Sequence, residues 1–154
     1  MQAIQLQNES IVEIATFLVR RWSEEDRMIV EISDKMETRT RLNEKKVIMI
    51  PLEKRIGNDF QKYRQFRTSL WYEAMRVKFC KKILSNDHAF GFILNTMETQ
   101  KVEQLGRKIW KGMDDEIIFN YAYMLVARPQ LNTVYGRARI VEAFYQYFMF
   151  GAIK

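Results

Sequence analysis

Residues 71–77 read Trp71-Tyr72-Glu73-Ala74-Met75-Arg76-Val77. On a helix, positions 72 and 76 lie one turn apart on a shared face, with Glu73 beside them. A phenol, a carboxylate and a guanidinium are thus brought to one side of one element. The segment sits inside a helical stretch that starts at Asn58 or Asp59, either of which can cap it, and runs to Leu84.

The flanks of this helix set the fold class. Upstream, Ile11, Ile14, Ala15, Leu18 and Val19 have helical spacing. They predict a helix over 10–22, with Ser10 as N-cap and Glu13 completing a capping box. Arg27–Ile32 is short, β-branched and alternating, Thr38–Leu42 alternates, and Lys46–Ile50 is the most hydrophobic of three strands. Asn43-Glu44 is a weak turn signal, and Pro51 ends the third strand. Downstream, Ser85-Asn86-Asp87 breaks the chain before a helix over 88–108, whose end Gly106 weakens. Lys111-Gly112 is a second break. Asp114-Asp115-Glu116 then puts acid at the start of a helix to Ala127, which Arg128-Pro129 ends. A loop over 132–135 leads to a last helix, 136–150. The order is helix, three strands, four helices. This is α+β, because the strands precede the helices instead of alternating with them. So small a sheet cannot bury a face alone, so the helix carrying Glu73 is expected to lie against it.

The chain has 154 residues, 47% hydrophobic and 29% charged, the balance of one globular domain spanning 1–154. No apolar run reaches the roughly 18 residues of a membrane span, and no charged flank precedes an apolar run near Met1. A single cysteine, Cys80, forms no internal disulfide and points to a reducing cytoplasm. The net charge of +6 fits either a basic solvated surface or an acidic partner, nucleic acid included. The basic residues come as scattered pairs such as Arg20-Arg21 and Lys45-Lys46, with no dense block.

The 72–76 segment resembles the zinc-metallopeptidase helix H-E-x-x-H with both histidines replaced. A second segment, Asn95-Thr96-Met97-Glu98-Thr99-Gln100-Lys101-Val102-Glu103, is similar to the downstream helix of gluzincins, which carries a glutamate as third zinc ligand. Trp110-Lys111-Gly112-Met113-Asp114, then Phe119, Ala122 and Arg128-Pro129, follow it. Together these look like the zincin-like region beside von Willebrand A modules in proteins of the cobaltochelatase and nitric-oxide-reductase-activator type. There a helix of the form N-x-x-E-D-x-R-V-E precedes an aromatic-x-G-M segment. The resemblance covers roughly residues 45–130. It matches Tyr72 and Arg76 to the histidine positions, Glu73 to the general base and Glu98 to the third ligand. The chain departs from the pattern at both histidines, at Thr99 for aspartate and at Lys101 for arginine. The resemblance therefore implies a zincin-like scaffold with a vestigial site, no metal, no cofactor and no catalytic residue. In it Arg76 would take over the charge of the ion by pairing with Glu98, and Tyr72 would fill the lost imidazole volume.

Other chemistry finds little support. One histidine, His88, and one cysteine cannot supply a catalytic zinc set, and Cys80 lacks a histidine neighbour to activate it. Glu73 and Glu98 could form a carboxylate pair, but no further feature of a sugar site accompanies them. Gly57, Gly91 and Gly106 make no phosphate cradle. Aromatic residues crowd the second half. Phe144, Tyr147 and Phe148 share one face of the last helix, and Tyr145 and Met149 another. A helix apolar nearly all round is either core or covered by a protein partner or an additional C-terminal domain. Three functions follow in order: an inactive metallopeptidase-like binding or scaffold module, a basic nucleic-acid-binding domain, and a hydrolase with a non-standard site.

Overall fold

The computed structural model describes residues 8–34, 39–41, 44–80 and 88–154. Helix α1 (Asn8–Ser23) precedes strands β1 (Ile29–Ile32), β2 (Arg39–Arg41) and β3 (Lys46–Met49). Helices α2 (Asp59–Phe79), α3 (His88–Ile109), α4 (Asp114–Ala127) and α5 (Gly136–Phe150) follow. The fold is α+β in the order expected. Thr38, Leu42, Asn43, residues 81–84 and the Ser85-Asn86-Asp87 break lie outside the described residues. Among the described residues, no helix is long and apolar enough to cross a membrane. The chain forms two compact units, Met1–Phe79 and Cys80–Lys154.

In the first unit the sheet order is β1-β3-β2. β1 runs parallel to β3, pairing Ile29 with Lys46 and Ile32 with Met49, and β2 runs antiparallel, pairing Thr40 with Val47. The most apolar strand takes the centre because it alone is flanked on both sides, and Val47, Ile48 and Met49 are buried. α1 packs on β1 and on α2, burying Ala15 and Val19, and α2 packs on α1, β2 and β3, burying Phe66, Leu70, Trp71, Ala74 and Met75. α1 also protects the outer edge of β1. The Thr16 hydroxyl accepts the Val30 N–H at 3.1 Å, and Arg20 Nε donates to the Met28 carbonyl at 2.7 Å.

Local chemistry starts α2. Asn58 Oδ1 accepts the Gln61 N–H and Gln61 Oε1 accepts the Asn58 N–H, both at 3.0 Å, a reciprocal capping box. Gly57 enters this turn with φ +110°, and a Cβ there would stand 2.4 Å from the capping oxygen of Gln61. α1, by contrast, begins at Asn8, so Ser10 lies inside its first turn and not before it.

The second unit packs α3 and α4 on α5. Val102, Met113, Ile117 and Met149 are buried, together with Thr96, Glu103, Glu142 and Gln146. Glu103 pairs with Arg107 at 2.8 Å and accepts the Tyr121 hydroxyl. The apolar-all-round reading of α5 is corrected here. Its inward face carries Glu142, Gln146 and Met149, while Tyr147 is 67% exposed and Phe148 39%. Hydrogen bonding makes this inversion affordable. Arg128 Nε donates to Glu142 at 2.8 Å, with a second bond from its Nη2, and its guanidinium lies 4.7 Å from the Tyr145 ring centre. Gln146 Nε2 donates to the Pro129 carbonyl at 2.8 Å, and its Oε1 accepts the Lys154 N–H at 2.7 Å. Lys154 Nζ donates to the carbonyls of Val126 and Arg128, which the end of α4 leaves without helical partners.

Candidate functional site

α2 places Tyr72, Glu73 and Arg76 in the first unit, and α3 places Glu98 in the second. Glu73 is 5% exposed and packed where α2 crosses the sheet. Its partner comes from the edge strand β2: Thr40 Oγ1 donates to Glu73 Oε2 at 2.5 Å. Burial in this dry contact pushes the Glu73 carboxyl above its usual 4.5, while nearby Arg76 and the Thr40 bond act in the other direction. Glu73 therefore leans toward its neutral form. A carboxyl so placed acts as a structural hydrogen-bonding group between α2 and β2.

Tyr72 and Arg76 are half-buried. The ring of Tyr72 meets that of its neighbour Trp71 edge to face, centres 5.9 Å apart. Glu98 pairs with Lys101 one turn along α3. His88 is the exposed first residue of α3, and Cys80 is a half-buried thiol just after α2. The donor set on α2 does not fit a zinc ion. A phenol and a permanent cation stand where neutral imidazoles would be needed, and the one carboxyl is engaged by Thr40. Among the described residues, no three His, Cys, Asp or Glu side chains converge as a metal site would require.

Two features escape a reading of the sequence. Thr40 is one. Alternation puts it on the opposite face of β2 from Arg41, but only the packing of β2 on α2 supplies its partner, 33 positions away. Arg55 is the other. It is buried beneath the start of α2, donates to Ser69 Oγ at 3.1 Å, and stands 5.4 Å from the Phe66 ring centre. Among the described residues its Nε and Nη2 have no hydrogen-bond partner, and burial lowers its pKa to about 10. A neighbouring Gln65 donates to the Ile56 carbonyl at 2.6 Å, so Gln65 and Ser69 anchor the loop that precedes the helix.

No protein-family model matches this chain, and no curated protein or solved structure matches it either.

Proposed function

We propose that this chain is a catalytically inactive metallopeptidase-like domain that works in the cytoplasm as a protein-binding or scaffold module. The observation that carries the reading is the state of Glu73. At the position that resembles the general base of H-E-x-x-H, the carboxyl is buried, held by Thr40 and biased toward neutrality. A general base needs the opposite: an ionised carboxylate within hydrogen-bond reach of a water. With Tyr72 and Arg76 in place of two imidazoles, the helix keeps its packing role and gives up metal chemistry. The half-exposed aromatic residues of α5 offer protein-contact surface in the second unit.

Reversal tests this reading. In the double variant Tyr72→His, Arg76→His, two imidazoles stand one turn apart beside Glu73. The purified double variant is expected to take up zinc stoichiometrically, measured by elemental analysis after dialysis, while the parent chain retains none and leaves peptide substrates intact. A folded double variant with no zinc affinity would remove the likeness to the metallopeptidase helix. Stoichiometric zinc or peptide hydrolysis in the parent chain would remove the claim of inactivity.

A further inference from the structure

We infer that the open end of strand β1 is a docking site for an extended peptide segment rich in lysine or arginine, added to the sheet as a short further strand. β1 is an edge strand, paired on one side with β3. The Ile29 N–H donates to the Lys45 carbonyl at 3.0 Å and the Ser33 N–H to the Met49 carbonyl at 2.9 Å. Alternate peptide groups therefore point at β3, and those of Val30 and Ile32 point away from it. Thr16 on α1 takes the outward N–H of Val30. Among the described residues, no group accepts the N–H of Ile32. Ile32 instead lines a cleft of about 700 Å³ shared with the N-terminal turns of α1, large enough to seat a short segment of chain. A strand edge with unmet backbone groups is a template for another strand.

Charge selects the occupant. In a chain of net charge +6, this cleft is lined by Glu9, Glu13, Glu31, Asp34 and Glu53 and by no basic side chain. Lys46 pairs with Glu31 at 2.8 Å and Lys54 with Asp34 at 3.6 Å. Glu9, Glu13 and Glu53 are exposed and, among the described residues, have no counter-charge. Among the described residues these carboxylates do not converge as a metal site would require. They come from separate elements, Glu9 and Glu13 from α1 and Glu53 from the turn after β3. Negative charge spread beside a strand edge matches lysine or arginine at alternate positions of an extended backbone, because every second side chain of a strand shares one face. Val12, Ile32 and Pro51 offer apolar contact to the residues between. A nucleic acid strand would instead set phosphate against carboxylate. The cleft lies at the opposite edge of the sheet from Thr40 and Glu73, so this inference goes beyond the metallopeptidase-like reading and stands apart from it.

The test uses the whole chain and a short fluorescein-labelled peptide of alternating lysine and valine, followed by fluorescence anisotropy. Saturable binding that weakens with added salt is expected. Two further peptides of the same sequence carry methyl groups on alternate backbone nitrogens, one in each register. They keep every charge, and the one whose methyl groups face β1 should bind at least about tenfold more weakly, because it cannot pair with the strand edge. The double variant Glu13→Gln, Glu53→Gln changes two exposed side chains without changing their shape. It should weaken binding of the unmethylated peptide at least about fivefold, and circular dichroism matching the parent chain confirms that it folds. Absence of saturable binding, full affinity for both methylated peptides, or undiminished binding by the folded double variant would each overturn the proposal. So would displacement of the peptide by an equal concentration of spermine, which has the charge and lacks the peptide backbone.

Discussion

Thr40 and Glu73 make the sharpest prediction about the first unit. Thr40→Val keeps the shape of the side chain and deletes the hydroxyl that donates to Glu73 Oε2. It leaves a buried carboxyl without that donor, which costs about 1–3 kcal/mol, more than the roughly 1 kcal/mol of an ordinary hydrogen bond. Glu73→Gln acts in the opposite sense at neutral pH. It retains an oxygen to accept from Thr40 and cannot ionise, so it escapes the cost of charging a buried carboxyl as pH rises. Because burial raises the folded-state pKa of Glu73 above its unfolded value, the group contributes stability that is fully present below the unfolded pKa of about 4.3. That contribution disappears as pH rises through the folded value. The parent chain should therefore lose stability from this residue as pH rises past the unfolded value and through the raised folded one, and Glu73→Gln should abolish that part of the slope. Relative to the parent, the variant gains as pH rises. Urea unfolding of parent, Thr40→Val, Glu73→Gln and the double variant, followed by circular dichroism and tryptophan fluorescence, measures all of this in one cycle. The coupling between the two sites should lie in the range of about 0.5–3 kcal/mol for residues in contact. A Glu73→Gln profile parallel to the parent's, or additive single variants, would show that Glu73 is solvated and not held by Thr40, and the structural role assigned to it would be wrong.

Three further outcomes follow from the same reasoning. Lowering the Arg55 pKa to about 10 by burial corresponds to a cost of roughly 3 kcal/mol. Arg55→Met should accordingly be neutral or stabilising in urea unfolding, against the usual loss on changing a buried residue. Gly57→Ala should cost about 1–2 kcal/mol, since φ +110° is strained for any side chain; Asn58→Ala, which removes the cap alone, should cost about 1 kcal/mol. In the second unit, the hydrogen bond from Arg128 is the main cause holding the Glu142 carboxyl below its usual value. That stability is present above the unfolded pKa and lost as pH falls through the folded one. Glu142→Gln should lower the midpoint of thermal unfolding at neutral pH by an amount equivalent to about 1–2 kcal/mol, and this difference should vanish in acid.

The order of elements was legible because its causes are local. Helical spacing in 11–19, β-branched alternation in 27–32 and 46–50, the acidic start at 114–116 and the proline stop at 129 each act over a few residues. Such signals survive in the chain whatever else packs nearby. Face assignment was less legible. In α5, hydropathy alone turns Tyr147 and Phe148 inward, yet Glu142 and Gln146 hold the buried positions. Their acceptors and donors come from Arg128, Pro129 and Lys154, and a satisfied polar group can be buried where an unsatisfied one cannot.

The amino-acid sequence by itself determined the α+β succession, a capping residue at the start of α2, and the gathering of Tyr72, Glu73 and Arg76 on one helix. Only the tertiary structure decided that β3 would lie between β1 and β2, and that the carboxyl of Glu73 would meet the hydroxyl of Thr40. The physical reason is range. Helix caps and turn signals depend on dihedral preferences of adjacent residues, whereas strand order and a buried carboxyl's ionisation depend on which surfaces exclude water together, and no short window of residues encodes that.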